Sequence, residues 1–449
     1  APYDYDPSNP SPTKFPPYYD GSFIIGEFTQ DTMREVKLDS QGRVFKINQA
    51  LNCGPAPTNP ARPFLCDNPM DMEFGPDGSL YLLTYGDGFF NINPDAAMER
   101  FEYVKGQRAP IAVISATPTS GQDPLVVSFS SAGTNDPDPG DAITYAWDFD
   151  GNGTTDSTEE NPTHTYTTRG SFVARLTVTD SNGLSSSANT TITVGNTAPT
   201  VVIDVPTEGG TFAFGNNIPF SVTVTDPEDG VINCGEVEVT FILGHDTHGH
   251  AEVTVNGCSG VLPTDPTDTA HGGNVWGVVA AEYTDHGGAG GVPALTTVDQ
   301  VDIRQKRQEV EFVLEQQGTN VSTGTDVGEW PQQRGSLGGA DWIKLNGPFN
   351  LVNINEITFR VSAGGTAGNP VGEVEIRTGD PNTGPIVTAV TILSTGSTNT
   401  YTSQTFPLPN PGGLNDLYLA FNSVPGGPGN NFFNLNWIEF GGAGVGVTP

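Results

Sequence analysis

Residues 147–159 read WDFDGNGTTDSTE, and the alternation at their start decides how the surrounding chain folds. Trp147 and Phe149 alternate with Asp148 and Asp150, the period of a strand that buries its aromatics and presents its carboxylates outward. Gly151-Asn152-Gly153 then supplies the residues of a tight turn. Hard oxygen donors therefore stand on a strand end and the loop after it. Read as a loop, Asp148-x-Asp150-x-Asn152-Gly153 with Asp156 and Glu159 fits the D-x-[DN]-x-[DN]-G-x5-E spacing, which wraps carboxylates and a carbonyl round one calcium ion. The residues before it form a strand, so the expectation is a calcium loop on a β-sandwich. A solvated acidic turn is the plainer alternative. An exposed strand end offers no desolvated pocket that would tune one carboxylate against another, which argues against catalysis there.

The rest of the chain shares this rhythm. Short runs of Val, Ile, Phe and Tyr are separated by turns rich in Gly (56 residues) and Pro (37), and no long stretch carries helical periodicity. The 449 residues therefore read as an all-β protein of several domains. A net charge of −34 excludes nucleic acid and anionic membrane surfaces as partners, and it makes divalent cations the natural relief of self-repulsion. The longest apolar runs, such as VWGVVAA at 275–281, are far too short to span a bilayer. Four cysteines fall in two close pairs, Cys53 with Cys66 and Cys234 with Cys258, neither at C-x-x-C metal spacing. Two local disulfides are expected, each stabilising by about 3 kcal/mol in the chain-entropy account, in an oxidising extracellular compartment. Sequons at Asn152, Asn189 and Asn320 fit secretion. The start at Ala1, within a Pro- and Tyr-rich segment, reads as that of a mature or trimmed chain.

Four regions follow along the chain. Residues 1–107 alternate strand and turn over roughly eight strands, about two propeller blades at ~40 to 45 residues each. NPMDMEFGPDGSLYLLTYGDG (68–88), with GEFTQDTMREVKLD (26–39) before it, resembles the last blades of the glucose/sorbosone dehydrogenases, sugar oxidoreductases that carry pyrroloquinoline quinone on a β-propeller. Residues 108–195, through AITYAWDFD (142–150), NPTHTY (161–166) and ARLTVTD (174–180), resemble a PKD domain, an Ig-like sandwich. GNTAPTVVI (195–203) opens a second Ig-like sandwich, residues 196–304. Residues 305–449, through QEVEFVLEQQGTNV (308–321), ADWIKL (340–345) and PGNNFFNLNWIEF (428–440), resemble a family-6 carbohydrate-binding module, a β-jelly roll. This domain order is similar to the C-terminal half of the secreted sugar dehydrogenases.

The second sandwich holds five of the six histidines: His245, His248 and His250 in GHDTHGH, His271 in TAHGGN, and His286 in YTDHGG. On a strand, His248 and His250 would face the same side, and neutral imidazoles beside Asp246 or Asp285 suit zinc or copper. A Gly-rich loop whose histidines bond to backbone is the alternative. His164 resembles the usual turn residue of PKD domains, a structural role.

The likeness to the carbohydrate-binding family implies a structural calcium held by acidic side chains of the first and last strands. Glu309 and Glu311 alternate on one face for that role, and Asn436 stands where the family usually has Asp. The same likeness implies a sugar stacked between two aromatics beside an Asn. Those aromatic positions read Ser336 and Thr398, while Asn434 survives, so binding at that cleft is expected to be weak or absent. Trp330, Tyr401 or Phe432 would make a displaced site if exposed, and each reads equally well as a core or rim residue.

Two blades cannot close a ring round a reaction centre. The dehydrogenase family's quinone-binding and base residues would precede Ala1, and residues 1–107 hold no histidine. The expected function is therefore a secreted, non-catalytic, calcium-stabilised scaffold or adhesion protein that touches polysaccharide. Two alternatives stand beside it: the C-terminal part of a quinone-dependent sugar dehydrogenase, and a homo-oligomer or filament built through open blade edges.

Overall fold

Trp147 has no exposed surface and Phe149 almost none: the strand Thr144–Asp148 pairs with Gly170–Thr179 so that Trp147 stands opposite Leu176, and Phe149 follows the strand's end. The computed structural model describes residues 1–11, 13–27, 32–39, 41–49, 68–86, 96–104, 107–138, 140–245, 248–265, 275–324, 326, 332–335, 337–428 and 432–446. The fold is all-β, with 56% strand against 2% helix. No helix among the described residues is long and apolar enough to cross a membrane. The chain forms two compact units, Ala1–Ala198 with His286–Leu295, and Pro199–Asp285 with Thr296–Pro449.

The first unit begins with two antiparallel meanders. One consists of Pro2–Tyr3, Ser22–Glu27, Thr32–Leu38 and Val44–Gln49, the other of Pro69–Phe74, Leu80–Thr84 and Ala97–Phe101. In the turn that follows Thr32–Leu38, the Asp39 carboxylate accepts the backbone N–H of Gln41 and of Arg43, and Gly42 takes the positive φ of 75° that the turn requires. Both sheets pack on a core that includes Tyr3, Phe15, Ile24, Met33, Leu80 and Leu82. Their other faces leave Phe45 and Met98 each 73% exposed. The Cys53–Cys66 pair lies outside the described residues.

The sandwich after them packs a sheet of Ser115–Thr117, Leu125–Ser130 and Thr163–Tyr166 against one of Ser120–Gly121, Thr144–Asp148, Gly170–Thr179 and Ser185–Val194. Val127, Phe129, Trp147, Leu176, Val178 and Ile192 fill the space between them.

The second unit opens with another sandwich. Its larger sheet runs in the order Thr211–Phe212, Thr296–Gln305, Val275–Thr284, Glu238–His245, His248–Asn256, and the smaller holds Thr200–Val205, Asn217–Thr225 and Ser259–Pro263. Cys234 and Cys258 form the disulfide expected of them, across a separation of 24 residues. A jelly roll follows with two main sheets. One includes Asn320–Thr323, Gln332–Gly335, Asn434–Gly442, Ile354–Ala363 and Ser397–Pro407, with Arg307–Glu309 paired to Asn434–Gly442. The other runs Glu315–Gln317, Asp341–Lys344, Leu417–Asn422, Pro370–Thr378, Ile386–Leu393. One residue, Lys306, joins the sandwich strand Thr296–Gln305 to the first jelly-roll strand. The chain then returns to the sandwich: the Val445 N–H donates to the Thr211 carbonyl and the Asn350 N–H to the Gly209 carbonyl, each at 2.8 Å.

Candidate functional site

The acidic loop at 148–159 closes on itself. Asp148 does not face outward as the alternation suggested but is 9% exposed, because the N–H groups of Gly151, Asn152 and Gly153 donate to its carboxylate at 2.8, 3.2 and 2.8 Å. Burial raises its pKa, but those N–H bonds outweigh it and hold the carboxyl below the usual range. Asp156 accepts the Phe149 N–H at 2.7 Å, and Asp150 accepts the Asn152 N–H at 3.2 Å. One oxygen from each of Asp148, Asp150 and Asp156 lies within 4.8 Å of the others. Asn152 turns its side-chain oxygen to the Thr154 N–H, and Glu159 contributes a backbone carbonyl to the Trp147 indole N–H at 2.8 Å, its side chain exposed. His164 stacks on Phe149 at 4.4 Å between centroids, with its edge to Tyr166, which fits a packing role.

The same sandwich holds a second acidic group that sequence reading missed. Asp136, Asp141 and Asp180 each place an oxygen within 4.8 Å of the others. Asp180 is 6% exposed; its Oδ1 accepts the N–H groups of Asn182 and Leu184, while its buried Oδ2 has no hydrogen-bond partner in the protein. The buried Oδ2 of Asp136 likewise has none. Asp141 accepts from Ser181, Gln107 and Asn182. The signal lay in two Asp-rich turns, TNDPDPGD and TVTDSNG, some forty residues apart, which the fold alone brings together.

In the second sandwich His245 and His250 meet at the end of a hairpin, Nε2 to Nε2 at 3.2 Å. His248 is the ladder partner of His245. Asp246 and His271 lie outside the described residues. His245 pairs with Val275 at one end of Val275–Thr284, whereas Asp285 and His286 follow the other end, about 30 Å away at strand rise. The strand therefore separates Asp285 and His286 from the pair.

In the jelly roll, Glu309 and Glu311 do not alternate on one strand. Glu309 ends its strand and Glu311 sits in a single 3-10 turn, Val310–Phe312, formed as Val310 inserts fully into the core. Both Glu311 oxygens and the Asn436 Oδ1 are buried without a protein hydrogen-bond partner, and Glu309 stands opposite Trp437 in the ladder, one residue from Asn436. Burial pushes the Glu311 carboxyl up to about 7, with the charge of Glu309 adding to it. Asn436 donates through Nδ2 to Asp326 at 3.1 Å, and Arg360 grips Asp326 with two bonds of 2.7 Å. Arg307 pairs with Glu309 at 2.7 Å. Orphaned oxygens in a buried acidic pocket fit a hard cation.

Among the described residues, the displaced-stacking candidates Tyr401 and Phe432 do not offer a platform. Tyr401 is 9% and Phe432 2% exposed, both absorbed into packing, and Trp330 and Ser336 lie outside the described residues. Asn434 donates to Ser362 at 3.2 Å. A different face is better furnished. Strand alternation in ADWIKL buries Ile343 and turns Trp342 and Lys344 outward on the five-stranded sheet. Ladder register lines up Gln317, Trp342, Ala420 and Glu375 in one rung and Glu315, Lys344, Tyr418 and Arg377 in the next. Trp342 meets Tyr418 edge-on at 5.8 Å, and the small Ala420 stands between Trp342 and Glu375 in their rung, with Glu375 ion-paired to Arg377. An indole flanked by carboxylate, amide and guanidinium groups offers a stacking surface with hydroxyl partners beside it.

Known families match the two domains that carry these features. The PKD domain model matches residues 107–194, and the carbohydrate binding module (family 6) model matches residues 311–442. This chain carries both domains. Over 142 residues it is 34% identical to collagenase ColA of Bacillus cereus, a stretch covering 29% of this chain and 14% of the collagenase. The chain thus spans a small part of the length of that relative. Two solved structures are also similar. One is a β-1,3-glucan-binding family-6 module from Bacillus halodurans, 27% identical, covering 30% of this chain and 93% of that one, with a TM-score of 0.25. The other is the PKD1 domain of Vibrio anguillarum Epp, 35% identical, covering 20% and 96%, with a TM-score of 0.17. Neither family match reaches residues 1–106.

Proposed function

We propose that this chain is an extracellular polysaccharide-binding β-protein whose family-6 module engages glycan on the outward face of its five-stranded sheet, the PKD and Ig-like sandwiches serving as cation-stabilised spacers. The carrying observation is the rung of Gln317, Trp342, Ala420 and Glu375, an aromatic face with polar groups at the height of sugar hydroxyls. The aromatic positions implied for the usual cleft read Ser336 and Thr398, so the sheet face takes over the stacking. Calcium is the cation that suits the buried oxygens, at Glu309, Glu311 and Asn436 in the module and at Asp136, Asp141 and Asp180 in the PKD domain. There it would neutralise the carboxylate oxygens left without a protein donor, both of those of Glu311 and the Oδ2 atoms of Asp136 and Asp180. The Asp148 loop, supplied by its own N–H groups, holds its shape without one.

The test is retention of the purified chain on a panel of insoluble polysaccharides. Trp342→Ala is expected to weaken binding about tenfold or more, with the thermal midpoint unchanged. A wild-type chain that binds none of the panel, or a variant that binds as well as wild type, overturns the reading.

A sugar-dehydrogenase origin for residues 1–107 rests on the wording of 26–39 and 68–88 alone. Quinone-dependent sugar oxidation by a longer product of the same gene would establish it. Self-assembly through Val44–Gln49, the last strand of its sheet among the described residues and one that exposes Val44, Phe45 and Ile47, is a competing reading.

A further inference from the structure

We propose that His245 and His250 form a binding site for a borderline divalent metal ion, zinc or copper, in the Ig-like sandwich that neither family match covers. The two residues sit on adjacent strands, Glu238–His245 and His248–Asn256, where the register places His250 opposite Leu243 and so on the same sheet face as His245, one step along. On that face Leu243 is fully buried and His245 is 8% exposed, while His250, on the last strand in the sheet order, is exposed, so the pair stands at the solvent margin of the sandwich. The rings lie within 18° of parallel, with centroids 5.3 Å apart and Nε2 atoms only 3.2 Å apart. They therefore meet through their nitrogen edges and do not overlap face to face.

Two arrangements bring imidazole nitrogens so close. One is a single N–H···N bond, with one neutral ring donating to the other, for which 3.2 Å is the long limit. The other is a shared metal ion: with each nitrogen about 2.0 to 2.1 Å from zinc, adjacent corners of a tetrahedron stand about 3.4 Å apart. The observed spacing lies between the two and reaches either by a shift of a few tenths of an ångström.

Two further features favour the ion. The net charge of −34 draws cations to the whole surface. The hairpin end is also held from its other face, where the Trp276 indole covers Gly244 so closely that a Cβ there would come within 2.4 Å of the ring. His245 thus projects from a backbone braced against tilting, as a preformed ligand needs. Water or neighbouring side chains would complete the coordination. The proposal concerns a different domain and different chemistry from the glycan face, and it stands or falls independently of it.

The test uses the whole chain, stripped with chelator and returned to calcium-containing buffer, then titrated calorimetrically with zinc and separately with copper. One equivalent of zinc or copper per chain is expected. His250→Gln should weaken it at least tenfold while leaving circular dichroism and the thermal midpoint of the metal-free protein unchanged. His245→Gln should do the same, but His250→Gln decides if the more buried site fails to fold. With copper, the electron paramagnetic spectrum should carry hyperfine splitting from two imidazole nitrogens that falls to one in His250→Gln. Absence of binding by either ion overturns the proposal and leaves the hydrogen-bonded pair. Binding that survives His250→Gln, or that is lost on His248→Gln or His271→Gln but not on His250→Gln, overturns it as well.

Discussion

The two acidic clusters of the PKD domain use the same residue type to opposite ends. At Asp148 three backbone N–H groups converge on one carboxylate and the loop is complete without help. At Asp180 two N–H groups take one oxygen, and the other is sealed in beside Asp136 and Asp141 with no protein donor in reach. The difference comes from chain connectivity. A single tight loop with glycines at 151 and 153 can fold its own amides onto a carboxylate, their φ values of 72° and 87° being ones other residues rarely adopt. Three carboxylates from two separate turns leave acceptors facing acceptors, an arrangement that a cation would relieve. Density of acidic residues in the sequence is therefore a poor guide to cation demand; the supply of local donors decides it.

Three substitutions probe this contrast, in falling order of effect. Asp148→Ala strands three N–H groups and should cost about 2 to 4 kcal/mol, equally in calcium and in chelator, by denaturant unfolding of the whole chain. A loss seen only with calcium present would reverse the assignment of the two clusters. Asp180→Asn keeps an acceptor for the Asn182 and Leu184 amides, so its metal-free stability should match wild type. It should lose the calcium-dependent gain, about 2.7 kcal/mol at a hundredfold excess over Kd, and a calcium shift that persists in the variant would argue against ligation there. Glu159→Gln should change stability by less than about 0.5 kcal/mol in either condition, since Glu159 takes part through its carbonyl. A marked calcium-dependent loss would restore Glu159 as a ligand.

The strands of the sandwiches and jelly roll were legible because alternation writes burial directly into the chain: Trp147 and Phe149 face in, and so does Ile343 between Trp342 and Lys344. The Cys234–Cys258 bridge was legible from proximity in sequence. What alternation cannot report is which acceptor meets which donor. Asp148 was read as outward because its strand position says so, and the loop beyond overrode it. Asp136 and Asp180 were invisible because their meeting depends on how the turns of two strands are brought together. Glu311 left the expected strand face because the strand ends at Glu309 and Val310–Phe312 forms a 3-10 turn, which alternation does not report. His245 and His250 were flagged by composition, but the edge-to-edge geometry, and the strand that carries Asp285 and His286 away from them, belong to the fold. For residues 1–107 the sequence phrases suggested blades, and the two small meanders follow the predicted strand order without establishing the parent fold.

The clasp between the Ig-like sandwich and the carbohydrate-binding module bears on how this protein would carry load. With Lys306 as the whole connection, and the amides of Val445 and Asn350 fastened to Thr211 and Gly209, the module has no slack in which to swivel. A module on a loose tether samples many orientations and lets go of a surface one contact at a time. Here tension on an anchored glycan would pass straight into the sandwich through several backbone bonds pulled together, so the pair would grip or release as one stiff arm.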